Sequence, residues 1–181
     1  MRKYLLTLDI PQVLAPWARR NGFNLPDKHI FAGYHDRICK ASARVLDGVA
    51  VVQPYPLEQL VDGIHTLLRR YASNLPIVVM DRAVSEAGQF KNAHHYDSTR
   101  LMRYHSEVGW KKAGEGPRPF TDPLDTQAER IASELGIGTE VVVVDDGSFH
   151  GDSLRDCAVH LERAGLRVAC AVIGVQCTQI E

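Results

Sequence analysis

A chain of 181 residues, 45% apolar and 24% charged, has the length and make-up of one compact domain with a real core, which excludes a disordered tail or a fibre. Its 21 basic and 22 acidic residues leave a formal charge of -1, so no general attraction for nucleic acid or anionic membrane is expected. The longest apolar run, Val168 to Val175, falls far short of the ~20 residues of a membrane span.

The N-terminus starts Met1-Arg2-Lys3 but meets Asp9 and Pro11 too early for a secretory apolar segment. Pro11, Pro16 and Pro26 break any long helix, so short helical pieces are expected over the first 25 or so residues. Val49 to Val52, after Asp47-Gly48, has the pattern of a short buried strand. From Leu57 to Tyr71, apolar side chains recur at i, i+3, i+4 and i+7, which predicts an amphipathic helix with one flank on a core. Ile77 to Met80 follows Pro76 and predicts a fully buried strand ending at Asp81-Arg82.

The stretch Tyr96 to Pro119 is polar, aromatic and basic without a core pattern, and is expected as a long irregular excursion. A helix is predicted next, with Asp122 as N-cap, Pro123 in the first turn, Leu124, Ala128, Ile131 and Leu135 on one face, and Gly136 at its end. Val141 to Val144 predicts a second buried strand. A helix with Leu154, Cys157, Ala158 and Leu161 on one face follows, closed by Gly165, and Arg167 to Val175 predicts a third strand. All-apolar strands alternating with amphipathic helices indicate an α/β fold, a mostly parallel central sheet with helices on both faces. The division expected is a single domain, 1–181, with a helical N-terminal and hood portion over 1–75 and the α/β core over 76–175.

Chemistry in such sheets gathers beyond the carboxyl ends of the strands. Two strand ends carry unusual residues, Asp81-Arg82 and Asp145-Asp146. Adjacent carboxylates repel and are costly to desolvate, so the second pair calls for a partner, either a sugar diol or a hydrated Mg²⁺. Gly147, Ser148, Gly151 and Ser153 follow at once, then a helix start. Small residues let backbone N–H groups close around an anion, and the helix terminus adds positive potential. The segment suits a phosphorylated sugar.

The run VVVVDDGSFHGDSL, Val141 to Leu154, resembles the phosphoribosyl-pyrophosphate motif of the type I phosphoribosyltransferase family in length and register. The resemblance implies a phosphoribosyltransferase-like fold with an irregular hood. It also implies that Asp145 and Asp146 bind the ribose 2′ and 3′ hydroxyls and share Mg²⁺, while Gly147, Ser148, Phe149, His150, Gly151, Asp152 and Ser153 hold the 5′-phosphate. Phe149 and His150 stand where family members carry Thr or Ser, and Asp152 adds a negative charge to the loop. By placement, Arg82 would face pyrophosphate, although the glycines usual beside it are absent. Arg100, Arg103, Lys111 and Lys112 would be hood cations over the leaving group.

The function expected is an Mg²⁺-dependent phosphoribosyltransferase acting on phosphoribosyl pyrophosphate and a nucleobase or related nitrogen acceptor. A non-catalytic regulator of the same fold, sensing a nucleotide or sugar phosphate, is the alternative, and a nucleoside- or nucleotide-cleaving hydrolase is a third reading. The family often dimerises, so a homodimer using the N-terminal third as its interface is a further expectation. His94, His95 and His105 lack the spacing and companions of a zinc site. Cys39, Cys157, Cys170 and Cys177 form no C-x-x-C pair, and a cytoplasmic chain with thiols as core filler is expected.

Overall fold

The computed structural model describes residues 2–6, 10–45, 50–90, 92–105, 109–148 and 151–176. Its centre is a four-stranded, all-parallel sheet in the order β4-β3-β7-β8, where β3 is Ile77–Val79, β4 His94–His95, β7 Glu140–Ser148 and β8 Arg167–Gln176. Parallel strands buried on both faces need apolar residues at every position, which is what the valine run supplies. Val141 and Val143 point into one core with α5 (Leu124–Leu135) and α6 (Asp152–Arg163). Val142 and Val144 point into the other, against α3 (Leu57–Tyr71). All four valines are essentially inaccessible to solvent. A fold with helices on both faces of a parallel sheet is therefore present as expected.

Helix α3 spans the predicted residues, and Leu57, Leu60, Val61, Ile64 and Leu68 form its buried stripe. It belongs to the sheet's own core rather than to a separate N-terminal portion, so the α/β unit begins before residue 76. Gly136 ends α5 as predicted, in a positive-φ conformation with its N–H on Ala132 O. Asp122 does not cap α5. Pro123 holds the N-cap position without a side-chain bond, while the Asp122 carboxylate pairs with Arg130 at 3.1 Å. Its carbonyl is claimed by the buried Gln127 amide at 2.6 Å.

The N-terminal third departs most from expectation. A strand, β1 (Arg2–Leu6), pairs in parallel with β2 (Ala50–Pro54) in a small separate sheet. Two full helices, α1 (Ile10–Asn21) and α2 (Lys28–Val45), replace the short pieces. Pro11 stands in the first turn of α1, where its missing N–H costs nothing. The helix continues through Pro16 because tertiary contacts hold its far end: Ala18 is buried, and Arg20 pairs with Glu86 at 2.6 Å. Residues 46–49 and 177–181 lie outside the described residues, and with them the start of the predicted 49–52 strand and Cys177.

The stretch Tyr96 to Pro119 is ordered into an antiparallel ribbon, β5 (Ser98–His105) with β6 (Gly109–Pro117), not an irregular loop. One register shift at Leu101/Met102 inserts an extra residue in β6, next to Gly114 at φ 137°, a bulge conformation that glycine accommodates. A short helix, α4 (Arg82–Gly88), follows β3 where only a strand end was anticipated.

Candidate functional site

The sheet order sets the place. From β3 the chain first crosses to β4 on one side, and β7 later pairs on the other side of β3. The gap beyond the carboxyl ends of β3 and β7 is thus the topological switch point, where open α/β sheets receive ligands. A polar cavity of about 210 Å³ lies there. Its floor is Met80, Asp145, Asp146 and Gly147, from the two strand ends. One wall is Ser153 in the first turn of α6; the other is the root of the ribbon, with Ser98, Thr99, Arg100, Glu115 and Arg118. A larger depression of about 420 Å³ along β8 is lined mostly by apolar side chains such as Leu67, Leu75 and Val172, with Tyr71 and Cys170 among them.

The acid pair arrives on β7 as the strand leaves the core. Asp145 is half-buried and Asp146 exposed. Their link is internal, Asp146 N–H donating to Asp145 Oδ1 at 3.0 Å. Among the described residues, no Lys or Arg comes within ion-pair distance of either. Desolvation, then the Asp146 charge, pushes the Asp145 carboxyl up to about 8. Asp146 is raised as well, by desolvation first and the Asp81 charge second, with Arg118 opposing. A cation or a hydroxyl donor beside the pair would favour the charged carboxylates and draw both back down.

Close packing under the pair fixes its height. A Cβ at Gly174 on β8 would stand 2.8 Å from Asp146 O and 2.6 Å from Leu60 Cδ1. Only glycine lets β8 and α3 approach the acid-bearing backbone so closely. Nothing local signals this, because Gly174 sits inside an otherwise ordinary apolar run.

Arg82 does not line the cavity. It occupies the first turn of α4, capped by Asp81, whose Oδ1 accepts from Val84 N–H at 2.9 Å. Its guanidinium grips Asp97 with two bonds, at 2.6 and 2.5 Å. Burial raises the 4% exposed Asp97 carboxyl, but the Arg82 hydrogen bond and charge outweigh it, so the carboxyl lies below its ordinary range. Asp97 in turn is held by Gln127, whose Oε1 accepts from Asp97 N–H at 2.7 Å. This network locks the root of the ribbon to α4 and α5.

A cation at the cavity that sequence reasoning passed over is Arg118. Its Nε donates to Ser98 O at 3.0 Å and its Nη2 to Met80 O at 3.2 Å, with Asp81 Oδ2 at 3.7 Å. These bonds span from the ribbon's root to the end of β3, so Arg118 is positioned as well as charged. Arg100 also lines the cavity. Arg103, Lys111 and Lys112 have backbone places in the ribbon, but their side chains lie outside the described part.

Phe149 and His150 also lie outside the described residues. On either side of them the described residues make two side-chain bonds. Gly151, at φ 75° and N-cap of α6, donates its N–H to Ser148 Oγ at 3.0 Å. Ser153 Oγ donates to Glu115 Oε1 at 2.7 Å. The half-exposed Asp152 stands 3.6 Å from Arg155 and turns its charge along the helix.

Among the described residues, no group of three or more His, Cys, Asp or Glu is placed to hold a metal, and no helix is long and apolar enough to cross a membrane. His94 pairs with Glu134 at 2.9 Å, and Cys157 is buried as predicted. No family model matches the chain, and no curated protein matches it by sequence.

Proposed function

We propose that the cavity at the ends of β3 and β7 binds a phosphorylated pentose with Mg²⁺, and that the protein is a phosphoribosyltransferase of type I-like fold acting on phosphoribosyl pyrophosphate and a nitrogen acceptor. The observation that carries this is the strained acid pair, Asp145 raised to about 8 beside Asp146, at the switch point and next to the first turn of α6. Two vicinal hydroxyls match two vicinal carboxylates, each hydroxyl donating where charge repulsion would otherwise stand. The donor set also suits Mg²⁺, which takes one or two carboxylates and fills its shell with water and ligand phosphate rather than a protein cage. Bound there, Mg²⁺ would supply charge neutralisation for a departing pyrophosphate.

The chain's own residues do the rest. Asp145 and Asp146 orient the ribose, Ser153 donates to its 5′-phosphate, and Arg118, braced on Met80 O and Ser98 O, sets a fixed positive charge beside the sugar. The ribbon stands over the opening and excludes water from the anomeric carbon when it closes. In the reaction the anomeric C–O bond breaks, its electron pair leaving with pyrophosphate, and a C–N bond to the acceptor forms.

The engagement of Arg82 by Asp97 favours a second reading, a ligand sensor without turnover, because the cation expected at pyrophosphate is occupied elsewhere. Pyrophosphate release separates the two. The enzyme reading predicts Mg²⁺-dependent release with at least one member of a panel of nucleobases. Binding of phosphoribosyl pyrophosphate without release across the panel would leave the sensor.

A further inference from the structure

At the first turn of α6, the Ser153 hydroxyl is already engaged by a carboxylate of the protein itself. Glu115, on β6, accepts the Ser153 hydroxyl proton at 2.7 Å. Ser153 is the second residue of α6, where free amides and the helix dipole favour negative charge. Glu115 and Arg100 are cross-strand partners in the ribbon, and both line the cavity. A hydroxyl has one proton to donate, so Ser153 cannot serve both Glu115 and a phosphate.

We infer that Glu115 is a built-in stand-in for the ligand's phosphate, latching the ribbon to α6 until a phosphorylated ligand displaces it. The inference rests on the sugar-phosphate reading of the same cavity. A phosphate monoester brings between one and two negative charges and three acceptor oxygens, so it competes for the Ser153 donor while repelling the Glu115 carboxylate. As Glu115 swings out, the Ser153 hydroxyl passes from the ribbon's carboxylate to the ligand's phosphate, and the exchange reports the arrival of phosphate. A neutral sugar cannot drive it, because it leaves the latch closed. Glu115 is in this way a selectivity determinant for phosphorylated over unphosphorylated pentose.

The test compares wild type with Glu115→Gln, which preserves shape and hydrogen bonding and removes one charge. Ribose 5-phosphate and ribose, each with Mg²⁺, are the probes, with binding followed by calorimetry and by ligand-observed resonance shifts. Removal of one like charge a few ångströms away should raise ribose 5-phosphate affinity about tenfold and leave ribose within about twofold. Equal ribose 5-phosphate affinity in the two proteins, with binding still lost in Asp145→Asn/Asp146→Asn, overturns the latch and leaves the sugar-phosphate reading standing. An equal rise for ribose also overturns it, since the effect would then not concern phosphate. No binding of ribose 5-phosphate to either protein overturns both readings together.

Discussion

Two strand ends stand side by side in this molecule, and each presents an acidic residue followed by another charged one. At the end of β3, Asp81 caps α4 and Arg82 closes a two-bond pair with Asp97, so every charge has a partner within the fold. At the end of β7, no Lys or Arg among the described residues pairs with Asp145 or Asp146, and desolvation drives the first up to about 8. The difference separates structure from function. Satisfied charge builds the wall of the cavity; the acid pair on its floor is what the proposed function rests on.

That contrast can be broken by exchanging the expected consequences of mutation. The largest effect is expected at β7: Asp145→Asn with Asp146→Asn should weaken Mg²⁺-dependent binding of phosphoribosyl pyrophosphate by at least about a hundredfold, since two charged hydrogen bonds of about 1.5–3 kcal/mol each are lost. The fold should persist, and retained affinity by calorimetry would erase the distinction. At β3 the loss should appear as stability instead. Arg82→Ala strands the buried Asp97 carboxylate and should cost about 3 kcal/mol, a fall in Tm of roughly 6–12 °C for a chain this size. A variant with unchanged melting and abolished binding would move Arg82 from the wall into the site.

Gly174→Ala sharpens the comparison from beneath. Its methyl would meet Asp146 O and Leu60, so a loss of about 1–3 kcal/mol in denaturant unfolding is expected. Ligand affinity should fall with it as the acid pair is pushed out of register.

The acid pair also predicts a pH dependence. Folded Asp145 keeps its proton to about 8, whereas an unfolded Asp loses it near 3.9. Between these values the native state binds more protons than the unfolded state, so ligand-free stability falls as pH rises from about 4 to about 8 and levels off above. Chemical denaturation across that range should show stability declining with pH, the decline flattened in Asp145→Asn. Smallest of all, Asp122→Ala removes only an exposed pair with Arg130 and should change stability by less than about 1 kcal/mol.

How much of this was legible follows from the range of the interactions. Helix α3 and the core of β7 were readable because their signals are local: apolar residues at helical spacing in one, an unbroken valine run in the other. The acid pair was readable for the same reason, its two members being adjacent. Helix α4 was not, since seven residues carry little periodicity and its anchor is Asp97, fifteen residues away. The ribbon was missed because its polar, basic strands lack the alternation of a half-buried sheet, and Arg118 went with it. Its role depends on two carbonyls, Met80 O and Ser98 O, that only the folded chain brings together. The passage of α1 through Pro16 overturns the expected break, because it depends on tertiary anchors, the buried Ala18 and the Arg20–Glu86 pair, that the local signal does not contain.

The most direct measurement is a carbon-detected resonance titration of the Asp145 carboxyl, in the free protein and with Mg²⁺ and ribose 5-phosphate. A midpoint near 8 without ligand, moving down by at least one pH unit when both are added, is the predicted result. A midpoint near 4 in the free protein, or one near 8 that the ligands leave in place, would contradict the claim that these acids wait for a partner from outside the fold.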